Sequence, residues 1–148
     1  DTSCMAKTPE GRENRLKAIE GLRENGIEAY ADGSIEKLFA PNSLRTKREE
    51  IAAVKEMILA TPEQTIVKTL HALRERKETC SRLPEISVPV LILVGEEDAI
   101  TPPSAAELMH KKMEGSRLCV MKDAGHLSSM EEPAAFVDEL KRFIAAVC

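Results

Sequence analysis

The sequence has few aromatic residues and no strong excess of charge of either sign. Aromatic residues make up 3% of the 148 residues, tryptophan is absent, and the net charge is −4. Residues 1–86 carry 15 basic and 15 acidic side chains, whereas residues 87–148 carry 6 and 10. A nucleic-acid-binding surface needs clustered basic side chains and stacking aromatics. The composition therefore predicts a globular protein without a nucleic-acid partner.

Long apolar segments are also missing. The longest, VPVLILV at 88–94, is far shorter than the roughly 20 residues that a membrane-spanning helix needs. The chain opens with Asp1 and the segment DTSCMAKTPE, which lacks the apolar core of a signal peptide. We therefore expect no membrane partner, and we expect that the chain starts inside a longer protein.

The four cysteines lack the spacing of a metal site or of a dense disulfide framework. Cys4, Cys80, Cys119 and Cys148 are scattered, with no C-x-x-C pair. Cys119 lies in an apolar strand-like run, where a small buried thiol would fit. We therefore expect that the thiols are reduced, that the protein is cytoplasmic and that it binds no metal.

Residues 1–86 show helical periodicity and form the first predicted domain. Thr8-Pro9-Glu10 predicts a helix with an N-cap and an early proline, and Gly33 is expected to break that helix. Two further helices are expected to begin at Thr46 and Thr61, each as the first residue of a capping box. The apolar stripes predicted for these helices are Leu16, Ile19, Leu22 and Tyr30; Ile51, Val54 and Ile58; and Ile66, Leu70 and Leu73.

Residues 87–148 change to the pattern strand–helix–strand–helix and form the second predicted domain. VPVLILVG is apolar on both faces, as a buried parallel strand is. A helix capped by Thr101 leads to a second strand, RLCVM, and the helix PAAFVDELKRFIAAV ends the chain. Phe136, Leu140, Phe143, Ile144 and Val147 are expected on one face of that last helix. The pattern predicts two parallel strands with flanking helices.

Two chemically useful side chains follow the two strands. Asp98 lies in GEEDAITPP and His126 in KDAGH, and the carboxyl ends of parallel strands meet at one edge of a sheet. An aspartate that accepts a hydrogen bond from imidazole Nδ1 fixes the tautomer in which Nε2 can act as a base. Glu96 and Glu97 are rival acids, and the spacing from Gly95 favours Asp98.

These residues resemble the C-terminal portion of an α/β-hydrolase-fold enzyme. The acid loop of that family reads G-x-x-D with a proline four residues later, which Gly95, Asp98 and Pro102 match. Its histidine loop reads G-H and is followed by an acidic, proline-containing helix start, matched by Gly125, His126 and 131–133. The segment AGHLSSMEEPAAF is most similar to the 3-oxoadipate enol-lactonase and carboxylesterase branch. The opening, residues 1–32, resembles the start of the helical cap in that branch.

The nucleophile of the family is not visible in this sequence. The family places it in G-x-S-x-G, and no serine here has glycines on both sides at that spacing. Ser34, Ser128 and Ser129 lack such a turn, as does Cys4. His71 and His110 have no partner motif, and Asp123 is expected to be a solvated loop residue. The oxyanion hole of the family would also lie upstream of Asp1.

The resemblance implies an α/β fold with a helical cap at 1–86 and the last two strands and helices of the hydrolase core at 87–148. His126 would be the general base and then acid, Asp98 would orient it, and a small ester or lactone would react through an acyl-serine. No metal or organic cofactor is implied, and no cap residue can be assigned to substrate binding. The alternatives are a dehalogenase or perhydrolase of the same fold, or a non-catalytic interaction and oligomerisation module.

The same resemblance predicts that the isolated chain associates. In the family, VPVLILV has a neighbouring strand on each side, and one of these would end just before Asp1. An uncovered strand edge attracts other chains, and a two-stranded sheet is marginally stable alone. The expected partner is the missing N-terminal half or a second copy of this chain.

Overall fold

The computed structural model describes residues 2–147. Four helices come first, namely α1 (Pro9–Leu38), α2 (Ser43–Thr46), α3 (Arg48–Ala60) and α4 (Glu63–Arg74), followed by a 3₁₀ turn at Cys80–Glu85. The second part contains β1 (Leu91–Gly95), α5 (Pro103–Lys112), β2 (Arg117–Met121), α6 (Ser128–Glu131) and α7 (Pro133–Val147). No helix among these residues is long and apolar enough to cross a bilayer.

The first helix begins as predicted but is not broken where the sequence suggested. The Thr8 side chain accepts a hydrogen bond from the Gly11 N–H at 3.0 Å. The helix runs through Gly33, and the backbone departs from helical geometry at Gly26 instead, with φ of 80°. A glycine inside a helix costs about 1 kcal/mol, and the burial of Ala31 and Ile35 beside Gly33 outweighs that cost.

The two predicted capping boxes are wrong. The Thr46 hydroxyl donates to the Asn42 carbonyl at 3.0 Å and the Thr61 hydroxyl to the Met57 carbonyl at 2.7 Å. Both threonines therefore lie at the end of the preceding helix, and neither α3 nor α4 has a side-chain cap. Where one helix follows another within two residues, the capping pattern does not distinguish an end from a start.

The apolar stripes pack the helices together as predicted. α1 contacts both α3 and α4. One cluster of buried side chains joins α1 to α4, and a second joins the end of α1 to α3. The first contains Ile19, Leu22, Ile66 and Leu70, and the second contains Ile35, Phe39 and Val54.

The two strands are parallel, which confirms the predicted α/β class. Leu91 pairs with Arg117 and Gly95 with Met121. Helix α5 packs on the face that carries the buried side chains of Ile92 and Val94. Helix α7 lies over the other face, where Glu139 pairs with Arg117 at 2.9 Å. Because the two strands are parallel and directly paired, the loops that follow β1 and β2 lie side by side.

A disulfide between Cys4 and Cys80 corrects the expectation that the thiols are reduced. The Cα atoms lie 4.8 Å apart although the residues are 76 positions apart in sequence. The Thr79 N–H donates to the Cys4 carbonyl at 2.8 Å, so the two ends of the helical part meet at this point. Cys119 is a half-buried free thiol, and Cys148 lies outside the described residues. The cytoplasmic location, which rested on reduced thiols, stays a prediction.

The last helix leaves most of its apolar face uncovered. Helix α7 forms as predicted, and Phe136 and Phe143 are half-buried. The exposed apolar side chains of this helix are Val137 at 43%, Leu140 at 40%, Ile144 at 49% and Val147 at 44%. The periodicity of α7 was predicted correctly, but within residues 2–147 little packs against this face.

Candidate active site

The loops that follow β1 and β2 run against each other at one edge of the sheet. The Glu96 N–H donates to the Met121 carbonyl at 2.8 Å, and the Glu97 N–H donates to the Ala124 carbonyl at 2.9 Å. These bonds continue the strand pairing beyond Gly95. They fix the relative position of the segments that carry Asp98 and His126.

Two glycines allow this close approach. A Cβ atom on Gly95 would lie 2.0 Å from the Gly125 carbonyl oxygen, and a Cβ atom on Gly125 would lie 2.6 Å from the Ala40 nitrogen. Both neighbours are backbone atoms, so neither site can accept a larger residue without moving the chain. Both glycines are therefore required by close packing of the backbone.

The carboxylate of Asp98 is buried and accepts four hydrogen bonds. Oδ1 accepts the N–H groups of Ile100 at 2.8 Å and Thr101 at 2.9 Å. Oδ2 accepts the Thr101 hydroxyl at 2.8 Å and the His126 ring Nδ1–H at 2.9 Å. The side chain has 0% of its surface exposed. Asp98 therefore has a fixed orientation, with one oxygen directed at the imidazole.

Hydrogen bonding holds Asp98 in its charged form. Burial by itself raises the pKa of the carboxyl. The N–H of Thr101, the His126 ring, the Thr101 hydroxyl and the N–H of Ile100 lower the pKa, and together they outweigh burial. The pKa of Asp98 is consequently below its ordinary value, and the side chain is an anion at neutral pH.

Thr101 contacts Asp98 and His126, although the sequence predicted a different role for it. We expected it to cap α5, but α5 begins at Pro103 without a side-chain cap. Thr101 is buried, donates its hydroxyl hydrogen to Asp98, and lies 3.4 Å from His126 Nδ1. The D-x-x-T spacing is a signal that could have indicated this contact, because a threonine three residues after an aspartate can bond to it locally.

His126 presents one ring nitrogen to Asp98 and leaves the other available. Its backbone N–H donates to the Leu38 carbonyl at 2.8 Å, which ties the histidine loop to the end of α1. The side chain is 22% exposed. A carboxylate can only accept hydrogen bonds, so the bond to Asp98 places the imidazole proton on Nδ1. Nε2 then carries the free lone pair of the neutral ring, and it has no hydrogen-bond partner within residues 2–147.

The rival candidates do not join this pair. The side chains of Glu96 and Glu97 are exposed, as is Asp123, whose φ is 56°. His71 is exposed on α4, and the His110 ring lies 2.7 Å from the Ser116 hydroxyl. The structure thus brings Asp98 and His126 together, and the side chains of these rival acids and histidines form no hydrogen bond with them. The catalytic role of the pair stays a prediction.

No nucleophile joins the pair among the described residues. The Ser34 hydroxyl donates to the Tyr30 carbonyl at 2.7 Å, Ser128 is buried at the start of α6, and Ser129 is exposed. Cys4 is bonded to Cys80 and is not a free thiol. In residues 2–147, no group of three or more His, Cys, Asp or Glu side chains could hold a metal ion.

Known proteins share the sequence pattern and the fold. The pimeloyl-(acyl-carrier protein) methyl ester esterase of Neisseria meningitidis serogroup A is 40% identical over 73 residues, 49% of this chain and 23% of the esterase. The 3-oxoadipate enol-lactonase 1 of Acinetobacter baylyi is 27% identical over 141 residues, 95% of this chain and 51% of the lactonase. These matches confirm the predicted resemblance to the enol-lactonase and esterase branch.

A solved structure extends the similarity across almost the whole chain. A thermophilic esterase from Thermogutta terrifontis superposes with a TM-score of 0.88 and 32% identity, covering 97% of this chain and 53% of that esterase. The chain therefore spans about half the length of the relatives that it matches throughout. The profile of the family described as TAP-like protein matches residues 65–146. Because that match covers more than half of the chain, the protein belongs to this family of α/β hydrolases.

Proposed function

We propose that this chain supplies the acid and the base of a hydrolase that cleaves a small ester or lactone through an acyl-serine. The observation that carries the proposal is the contact of 2.9 Å between His126 Nδ1 and Asp98 Oδ2, with Nε2 left available. The similarity to a methyl ester esterase and to an enol-lactonase supports the substrate class. The pair provides proton transfer, which is what attack by a hydroxyl group requires.

In this reaction both proton transfers take place at Nε2 of the imidazole, while Nδ1 stays bonded to Asp98. His126 Nε2 accepts the proton of the serine hydroxyl as its oxygen attacks the carbonyl carbon. Asp98 stabilises the imidazolium that forms, and Nε2 then gives the same proton to the departing alkoxide oxygen. A water molecule repeats the sequence on the acyl-serine, releasing the acid and regenerating the hydroxyl.

The serine and the oxyanion hole belong, in this proposal, to a segment outside residues 1–148. The sequence has no G-x-S-x-G, and the relatives that match it throughout are about twice as long. We further propose that the helices of residues 1–86 roof the substrate pocket. Support comes from the bond of His126 to the Leu38 carbonyl, because it places the end of α1 beside the base.

The experiment compares this chain alone with the same chain joined to the upstream half of a related esterase. The chain alone should hydrolyse a short-chain p-nitrophenyl ester no faster than buffer, and the joined protein should show saturable turnover. In the joined protein, His126→Ala should lower kcat by about 10⁴-fold and Asp98→Asn by a similar factor, since the amide stabilises the wrong tautomer. His71→Ala and Asp123→Asn serve as controls, because both residues are exposed and neither is assigned a part in the reaction.

Two outcomes would contradict the proposal. Saturable hydrolysis by the chain alone that disappears in His126→Ala would show that the nucleophile lies within it. Near-normal turnover of both His126→Ala and Asp98→Asn in the joined protein would remove the pair from the mechanism. Mass spectrometry of the trapped intermediate separates an acyl-serine from the alkyl-aspartate that a dehalogenase would form.

A second function, association, is favoured by uncovered apolar surface. A groove of about 270 Å³ runs beside β1 and is lined mainly by apolar side chains of 90–94 with Ala106, Met109 and Met113. The exposed apolar residues of α7 form a second uncovered surface, on the other side of the sheet. We propose that the N-terminal half of the hydrolase fold occupies the groove, because the matched relatives contain about that much more chain. A second copy of this chain would be the substitute when that half is absent.

A further inference from the structure

Glu131 is a buried acid with no assigned role. It lies in the short helix α6, five residues after His126, and its relative exposure is 0%. Its neighbour Glu132 is only half-buried and forms an ion pair with Lys47 at 3.8 Å. Burying a carboxylate is costly unless hydrogen bonds replace its water. The groups that replace the water therefore indicate what Glu131 does.

All three hydrogen bonds of the Glu131 carboxylate come from backbone N–H groups of the histidine loop and the end of α1. Oε1 accepts the N–H of Gly125 at 2.8 Å and the N–H of Leu127 at 3.2 Å. Oε2 accepts the N–H of Ala40 at 2.8 Å. Gly125 and Leu127 are the residues on either side of His126, so one oxygen holds the backbone before and after the base.

The remaining amide of the loop is also bonded to the end of α1. The N–H of His126 donates to the Leu38 carbonyl, two residues before Ala40. Three consecutive amides, from Gly125 to Leu127, are therefore fixed either by Glu131 or by the helical part. In the described residues Glu131 forms no ion pair, so these amides are the groups that stabilise its charge. Hydrogen bonds to an ionised acceptor are about twice as strong as neutral ones.

We propose that Glu131 is a positioning residue, which holds His126 in register with Asp98 and couples the histidine loop to the helical part at Ala40. The inference rests on the proposed function of the Asp98–His126 pair. If the carboxylate is lost, the loop amides lose their acceptor, and His126 Nδ1 is no longer kept at hydrogen-bond distance from Asp98. A displacement of about 1 Å is enough to break such a bond.

The test substitutes Glu131→Gln in the complete chain and measures the tautomer of the His126 ring by ¹⁵N NMR at neutral pH. The amide keeps the shape of the side chain, but it has one acceptor oxygen and directs an NH₂ group at one of the N–H partners. In the unaltered chain the ring should carry its proton on Nδ1. In Glu131→Gln the population should move toward the Nε2–H form, which is the form expected of the exposed His71 in the same spectrum.

Glu132→Gln is the matched control, because it removes the same charge from the adjacent residue without touching the loop amides. A tautomer shift in Glu131→Gln but not in Glu132→Gln supports the proposal, and an unchanged His126 ring in Glu131→Gln overturns it. An Nε2–H ring in the unaltered chain would instead overturn the Asp98–His126 pair itself. The spectrum of the unaltered chain thus separates failure of the proposed function from failure of this inference.

Amide exchange keeps the inference testable if Glu131→Gln does not fold. In the unaltered chain, the N–H groups of Gly125 and Leu127 should exchange with D₂O more slowly than the N–H of the exposed loop residue Asp123, by at least about tenfold. Their protection should match that of Ala40, because one carboxylate bonds all three. Unprotected exchange at Gly125 and Leu127 would overturn the proposal.

Discussion

The charge on Asp98 is stabilised by its surroundings, and this makes its contribution to stability depend on pH. In the unfolded chain the carboxyl titrates near its ordinary pKa of about 3.9. In the folded protein, burial is outweighed by hydrogen bonds and the pKa is lower. The stabilisation is therefore complete above the pKa that Asp98 has in the unfolded chain. It is lost as the pH falls through the pKa that Asp98 has in the folded protein.

We predict that Asp98→Asn lowers the free energy of unfolding by about 2 kcal/mol at pH 7, since it weakens bonds to a charged acceptor. The difference from the unaltered chain should shrink below about pH 4, where the carboxyl gains its proton in the unfolded chain. Urea denaturation between pH 7 and pH 2 measures this, with Asp123→Asn as the exposed control. A difference that grows as the pH falls would contradict the assigned sign.

The contact between the two loops gives a second prediction at the residue scale. Gly95→Ala should lower the free energy of unfolding by about 3 kcal/mol, because a Cβ atom there meets backbone oxygen and not a movable side chain. Gly33→Ala is the control, since Gly33 lies inside α1 with no atom within 4 Å of its added Cβ. It should stabilise the protein by about 0.5–1 kcal/mol. Equal effects of the two substitutions would show that the loops are not in contact.

At the scale of elements, the Cys4–Cys80 disulfide joins the start of the helical part to the turn that leads into β1. Both cysteines are buried in the cluster beneath β1, with Ile92, Val94 and Ala106. The bond therefore links the ends of the helical part to the core that carries Asp98. It also closes a segment of 76 residues, which is long enough for a large loss of unfolded-state entropy.

Removing the disulfide should lower the free energy of unfolding by about 4 kcal/mol on the loop-entropy estimate. The measurement is urea denaturation of the unaltered chain and of the double variant Cys4→Ser with Cys80→Ser, each with and without dithiothreitol. The reductant should destabilise the unaltered chain and leave the double variant unchanged. Cys119→Ser is the control, because the Cys119 thiol is free and must not alter the response. Free Cys4 and Cys80 thiols in the oxidised chain would refute the pairing.

At the scale of the whole molecule, apolar surface remains uncovered on two sides. Within residues 2–147 the sheet has two strands, so β1 pairs with β2 along one edge and borders the apolar groove. The exposed residues of α7 lie on the opposite side of the sheet from α5. Covering on the order of 300 Å² of apolar area contributes about 7 kcal/mol at 25 cal/mol per Å². Association is the simplest way to gain that stabilisation.

We predict that the chain alone is not a monomer at micromolar concentration. Analytical ultracentrifugation should show a species of at least twice the chain mass. Adding the upstream half of a related esterase should convert it to a complex with one copy of each. Leu140→Glu with Ile144→Glu should weaken association if the α7 face takes part, and Lys141→Glu on the same helix is the control. A well-folded monomer would mean that the uncovered surface is tolerated and that the proposed partner is not needed.

The sequence by itself determined the order of the long helices and the two strands, and the identity of the candidate pair. Periodicity is a local property, so the stripes of α1, α3 and α4 and the two strands could be predicted from short segments. The parallel direction of the strands followed from the helix that connects them. The positions of Asp98 and His126 followed from the strand ends, because parallel strands place their following loops at one edge. Membership of the hydrolases followed from the same loops, whose glycines and proline carry the family pattern.

Only the tertiary structure decided which side chains support that pair and which chain ends meet. Glu131 and the Cys4–Cys80 bond join segments that are far apart in sequence. Thr101 bonds Asp98 within one loop, but only the structure showed that both reach His126. The caps predicted at Thr46 and Thr61 were wrong because a threonine between two helices can bond to either one. Local sequence patterns specify the helices and strands. Which polar groups are buried, and what they bond to, depends on how these elements pack, because a buried polar group bonds to whichever partner the packing brings near it.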